Sequence, residues 1–206
     1  MDDGREVRLA GIETATADGS AALGALVAGR NVTLRGGTDA PDRYGRQPAF
    51  VFLEQAAASV QHQLLAQGDA LVSGNIADKA CAAEFAVAET AARQARRGVW
   101  ADSAAIKNAE SPGDILARIG QFTVVEGKVL SVRQAGAVTY INFGRRWTRD
   151  FAVTISRRVM PAFEAAGISV KSLENKRVRV RGWIEARGGP RIEAAQTGQI
   201  EMAGEN

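Results

Sequence analysis

Where side chains of this chain could do chemistry, they are chiefly arginines. Arg8 opens the segment RLAGIETAT, which also brings a carboxylate at Glu13 and hydroxyls at Thr14 and Thr16. A second segment, DRYGR, brackets Tyr44 between Arg43 and Arg46. Further along, YINFGRRWTRDF interleaves aromatics with Arg145, Arg146 and Arg149 around Trp147, and KRVRVRGW sets Arg177, Arg179 and Arg181 at alternate positions. A guanidinium is a rigid fork of donors that meets two oxygens of one phosphate at once. Arginines beside aromatic rings suit a single nucleic-acid strand, which places phosphates on the cations and bases on the rings. An internal disulfide and a cysteine or histidine zinc cluster are excluded on residue count. Cys81 and His62 are each the only residue of their kind, so no intramolecular disulfide and no His/Cys zinc cluster can form. Any metal here is held by oxygen.

The elements that position these residues divide into two halves. A chain of 206 residues accommodates two domains of about 100 residues each. Residues 1–107 hold 11 Lys and Arg against 13 Asp and Glu, a net of −2, whereas residues 108–206 hold 15 against 10, a net of +5. The basic half is therefore the second. No apolar run approaches the roughly 18 residues of a membrane span, so no membrane partner is expected. Met1 is followed by two aspartates and not by a basic and then apolar leader, and the sequence assigns no compartment and no oligomeric state. A segment mixing small, polar and helix-breaking residues predicts a linker at 102–113, with Gly98 closing the preceding helix and Pro112 acting as a stop.

Before the linker, strand and helix signals alternate. REVRLAGI, NVTLR, PAFVFL and ALVSG read as strands; SAALGALVAG reads as a helix capped by Ser20, SVQHQLLAQG as a second, and Lys79 to Arg97 as a long third, with Glu89 four residues before Arg93. After it, FTVVEGKVLSVRQ, VTYINFG, DFAVTIS, RVRVRGWIEARGG and PRIEAA read as strands, with a helix at VMPAFEAAG between the third and fourth. That order is the order of an OB barrel. The expected class is α+β, mainly β.

VRLAGIET, DRYGR, VQHQLLAQGDALV and EFAVAETAARQARRGVW, in that order, resemble the staphylococcal nuclease (thermonuclease-like) family over residues 5–101. The resemblance implies an OB barrel with three helices over residues 1–101, followed by an OB-like domain at 114–204. Active members of the family are calcium-dependent phosphodiesterases. On this resemblance Arg8 and Arg46 fall on the two arginines that clamp the phosphate through the transition state. Glu13 falls on a calcium-binding aspartate and Thr14 on the threonine that gives its backbone carbonyl to the metal. The general-base glutamate falls on Thr16, whose hydroxyl takes no proton at neutral pH, and Ala15 replaces the family's proline. The other calcium aspartate belongs on a strand upstream of Asp3 and Gly4, so the expectation is a barrel without its first strand. The expected site keeps its clamp and lacks its base and one ligand.

Each residue also has a plainer reading. Glu13 is either a metal ligand or a turn carboxylate, and Tyr44, beside Arg43, either stacks on a sugar or base or simply serves the turn. In the second half the alternation of KRVRVRGW puts arginines on one side and valines inside. Arg145, Arg146, Trp147, Arg149, Arg179 and Arg181 are then the candidate nucleic-acid contacts, with Trp147 the stacking ring, whereas Phe143, Phe151 and Trp183 are equally at home in a core. Three functions follow: a nuclease-like binder of single-stranded DNA or RNA with a degenerate site and no certain cofactor; an active phosphodiesterase using Ca2+; or an adaptor using both barrels for protein contacts.

Overall fold

The computed structural model describes residues 4–14, 18–36 and 40–204. The chain forms two compact units, Met1–Asp102 and Ser103–Asn206, and the class is α+β, mainly β. Among the described residues no helix is long and apolar enough to cross a membrane.

In the first unit the strand expected at REVRLAGI is broken in two. Gly11 takes φ +80°, and a Cβ there would lie 2.9 Å from Ile76 Cγ1, so only glycine makes this tight turn against the core. The turn separates β1 (Val7–Leu9) from β2 (Ile12–Thr14). After α1 (Asp18–Val27) come β3 (Val32–Arg35) and β4 (Gln47–Leu53), which form a sheet in the order β1-β4-β3, with β1 parallel to β4. Strand β2 pairs instead with β5 (Ala70–Val72). Helix α1 begins at Asp18, so Ser20 lies inside it and is not its cap.

Helices α2 (Val60–Gln67) and α3 (Lys79–Gln94) are capped by Ser59 and Asp78, whose side chains accept from the backbone N–H of His62 and Cys81. Their apolar faces meet β2, β4 and β5 in a core that includes Ile12, Val51, Leu64, Leu65 and Phe85. Helix α3 ends at Gln94, short of Gly98. That glycine is pressed against Gly68, and a Cβ on it would lie 2.4 Å from the Gly68 carbonyl oxygen.

The second unit starts inside the expected linker. β6 (Ile106–Asn108) runs parallel to β7 (Phe122–Lys128), and Pro112 opens α4 (Pro112–Leu116) instead of ending an element. Proline fits there because the first helical N–H has no intrahelical acceptor to lose. FTVVEGKVLSVRQ is two strands, β7 and β8 (Ser131–Ala135), passing from one sheet to the other at the buried Val129. Next come β9 (Val138–Asn142), β10 (Ala152–Ser156), α5 (Met160–Ala165), β11 (Arg177–Trp183), β12 (Glu185–Arg187), β13 (Gly189–Glu193) and β14 (Ile200–Met202). One sheet has the order β12-β13-β10-β9-β8 and the other β14-β11-β7-β6. Both supply one core, among them Val125, Ile141, Val153, Ile155, Val178, Val180 and Ile192.

Candidate functional site

The Gly11 turn sets the geometry of the first candidate site. It returns the chain so that Arg8 on β1 and Glu13 on β2 meet, and Arg8 Nη2 donates to Glu13 Oε1 in an ion pair. Glu13 is the less exposed partner, at 15 % against 44 % for Arg8. Arg46 precedes β4, where the Gln47 N–H donates to the Glu6 carbonyl at 2.8 Å. The parallel register of β1 and β4 therefore brings Arg46, just before β4, alongside the strand that carries Arg8. Arg46 has a counter-charge of its own. Its Nε and Nη2 donate to Asp42 Oδ2 at 3.0 and 2.8 Å, and the backbone N–H groups of Tyr44 and Arg46 donate to Asp42 Oδ1 at 2.8 and 3.1 Å. Desolvation works to raise the Asp42 carboxyl, but the bonds from Arg46 and Tyr44 outweigh it and hold it below the ordinary range.

Tyr44, 63 % exposed, lies between two guanidinium groups, with Arg43 4.8 Å and Arg46 5.0 Å from the ring centroid. The turn DRYGR is thus an organised cationic knuckle in which each arginine touches the ring. Thr14 lies in β2 opposite Ala70. Thr16, the base position, lies outside the described residues. Calcium takes about six to eight oxygen ligands. Of the two expected ligands, only Glu13 supplies a carboxylate, and that carboxylate is occupied by a guanidinium. Among the described residues no group of three or more His, Cys, Asp and Glu side chains converges on a metal position. Among the described residues this donor set falls short of what calcium takes.

In the second unit the arginines of β11 are a correction. The alternation is as expected, with Val178 and Val180 fully buried. Their neighbours Arg179 and Arg181 do not form an open basic face, because the strands on either side bring carboxylates against them. Register places Arg179 between Glu126 of β7 and Glu201 of β14. Arg179 Nη2 donates to Glu126 Oε2 at 2.6 Å and its Nη1 to Glu201 Oε1 at 2.9 Å. Arg181 is 4 % exposed and reaches Glu201 at 3.2 Å, while Arg177 reaches Glu126 at 2.8 Å. Burial pushes the Glu126 carboxyl up, but the bonds from Arg177 and Arg179 prevail and hold it below its ordinary value. These arginines tie β11 to its neighbours β7 and β14 within one sheet.

The outer face of the other sheet is different. A groove of about 760 Å³ runs over β8, β9, β10 and β13, and Arg145 and Trp147 are among its lining residues. Arg133, Tyr140, Arg187 and Arg191 line it too, and sequence reasoning missed them. The signal was available in part: Ser131, Arg133 and Ala135 alternate with the buried Val132, as β8 requires. Arg146 and Arg149 are exposed but lie outside the groove lining. Phe143 and Phe151 belong to the core, their ring centroids 5.1 Å apart, whereas Trp183 is 51 % exposed and meets Phe122 edge-on.

Residues 7–102 match the family described as staphylococcal nuclease homologue, closely the span over which the motifs resemble it. No curated protein gives a significant match to the chain.

Proposed function

We propose, from the premise that residues 7–102 are a staphylococcal nuclease-like domain, that this chain is a nucleic-acid-binding protein with a degenerate nuclease site. It holds phosphate backbone and performs little or no calcium-dependent hydrolysis. The observation that carries this reading is the ion pair of Arg8 with Glu13. For phosphodiester cleavage the arginine would face the phosphate while the carboxylate faced the metal. Here each neutralises the other. Arg46 is held in the same way by Asp42, yet Arg8 on β1 and Arg46 just before β4 lie on adjacent stretches of chain, an arrangement suited to a phosphate that can compete for their donors.

The second unit is read as an OB barrel on its strand order. β8, β9, β10 and β13 follow one another in one sheet, β11 and β7 pair in the other, and α5 lies between β10 and β11. Its partner is single-stranded DNA or RNA.

The experiment is a cleavage assay of the full chain on single- and double-stranded DNA and on RNA, with calcium or with chelator, run beside equilibrium binding across a salt series. Binding that weakens as salt rises, with no cleavage above the chelator control, is the expected result. Calcium-dependent cleavage abolished by Arg8→Ala or Arg46→Ala would make the chain an active phosphodiesterase. Absence of binding even at low salt would leave the adaptor role.

A further inference from the structure

We infer that the groove on the outer face of the five-stranded sheet seats the single strand, with bases stacked on Trp147 and Tyr140 and phosphates met by Arg133, Arg145, Arg187 and Arg191. This deepens the nucleic-acid reading above and rests on it. It also moves the contact from β11 to the opposite sheet.

The backbone register builds the surface. Arg133 lies opposite Tyr140, Ser131 opposite Asn142, and Ala152 opposite both Asn142 and Arg191. Their alternates Val132, Ile141, Val153 and Ile192 are buried in the core, so the first set faces outward. Ala152 gives a shallow floor between longer side chains. At one end the β9–β10 loop is fixed by Asp150, whose Oδ2 accepts from the Arg146 N–H at 2.7 Å. Gly144 is required beside it, because a Cβ there would lie 2.1 Å from that same carboxylate oxygen. The tip of the β12–β13 hairpin closes on this loop: Gly188, at φ +86°, would bring a Cβ to 3.8 Å from the Trp147 carbonyl oxygen. A fixed loop therefore carries a tryptophan that is 77 % exposed. A ring of that size held in water on an ordered support is an unusual expenditure of apolar surface unless something covers it.

The polar lining indicates what covers it. Four arginines and one acid, Asp150, line the groove. Arg187 is 74 % exposed and 4.0 Å from Glu185, and Arg191 Nη2 lies 3.5 Å from the same carboxylate, so both are weakly held compared with Arg179. Arg191 Nε is buried with no hydrogen-bond partner. Cations along a groove with the exposed Trp147 and the half-buried Tyr140 among them match a backbone whose bases are unstacked. A duplex keeps its base faces stacked and offers these rings nothing.

The test measures anisotropy of fluorescein-labelled oligo(dT) and oligo(rU) with the full chain, across a salt series and with polyglutamate as competitor. Trp147→Ala should weaken binding by roughly five- to a hundredfold with the salt slope kept, and Trp147→Phe should recover most of it. Arg133→Ala with Arg187→Ala should lower the slope of log affinity against log salt by about 1.4, the share of two phosphate contacts on a single strand. Arg8→Ala with Arg46→Ala, which removes the phosphate-holding pair of the first unit, should weaken binding less than Trp147→Ala does. The mutated groove side chains are exposed, and an unchanged melting curve confirms that each variant folds. Groove variants that bind like the native chain, with the loss found in the Arg8 and Arg46 variant, would overturn the inference and leave the nucleic-acid reading standing. Polyglutamate displacing the oligonucleotide at equal charge would make the ligand an acidic peptide and overturn it too. No binding by the native chain at low salt would overturn both.

Discussion

Replacing Arg179 by glutamine separates a structural arginine from a binding one. Arg179 is 14 % exposed and donates to carboxylates three times, from Nε and Nη2 to Glu126 at 3.1 and 2.6 Å and from Nη1 to Glu201 at 2.9 Å. A hydrogen bond to a charged group contributes about 1.5–3 kcal/mol net. Three such bonds do not add here, because Glu126 retains Arg177, Glu201 retains Arg181, and Glu201 is 38 % exposed and so screened by water. The expected loss is about 2 kcal/mol, on the order of 10 °C in the melting temperature of a unit this size. Urea and thermal unfolding of Arg179→Gln measure it, beside oligonucleotide binding at a temperature where the variant remains folded. Stability should fall while affinity and salt slope stay near those of the native chain. A variant of native stability that binds as poorly as Trp147→Ala would refute the assignment of Arg179 to the fold.

Calorimetry should find calcium bound no more tightly than the millimolar range of a poorly furnished oxygen site, and micromolar affinity lost on Glu13→Ala would contradict the donor count. Glu126 contributes pH dependence of known sign. Its folded value lies below the ordinary 4.5, so the unfolded chain takes up its proton first, and its contribution is complete above that value and is lost as pH falls through the folded one. Urea unfolding at a series of acid pH values should show a shallower decline for Glu126→Gln, from a lower plateau, than for the native chain; an unchanged decline would refute the coupling. Gly68→Ala should destabilise the first unit by about 3 kcal/mol or more, since its Cβ would lie 2.2 Å from the Arg97 carbonyl oxygen at a φ of +79°; native-like unfolding would mean that the two backbones can part.

The longer helices and the identity of most strands are local properties, and they were legible. The alanine-rich stretch from Lys79 forms α3, and alternation in RVRVRGW places Val178 and Val180 inward. Strand continuity is not local. FTVVEGKVLSVRQ reads as one strand because every residue in it suits one. It is divided because β7 pairs with β11, about fifty positions on, while β8 pairs with the adjacent β9. REVRLAGI divides at Gly11 for a similar reason, β1 going to β4 and β2 to β5. The expected linker misled through composition. Small and polar residues around Pro112 suit a loop, but Ile106–Asn108 finds an open edge of β7, and proline is welcome in the first turn of α4.

For the candidate sites the same distinction decides which arginines can meet a ligand. Alternation tells which side of a strand an arginine occupies, and it does so correctly for Arg179 and Arg181. What a side chain can bind depends on its counter-charge, and the counter-charge of Arg179 comes from Glu126 and Glu201, 53 and 22 positions away. Glu13, only five positions from Arg8, could be seen in the sequence, but either as a metal ligand or as a turn carboxylate, and only the Gly11 turn shows it facing the arginine. In the groove, by contrast, Arg133, Arg187 and Arg191 have no run of alternating charges to advertise them, and they join Arg145 there. They are gathered by register and by a loop held at Asp150. Clustered basic residues in a strand are thus a weak guide to a polyanion site when a neighbouring strand carries acids at matching register. Isolated ones that converge beside an exposed ring are the stronger one, because attraction to phosphate requires charge that the fold has not already neutralised.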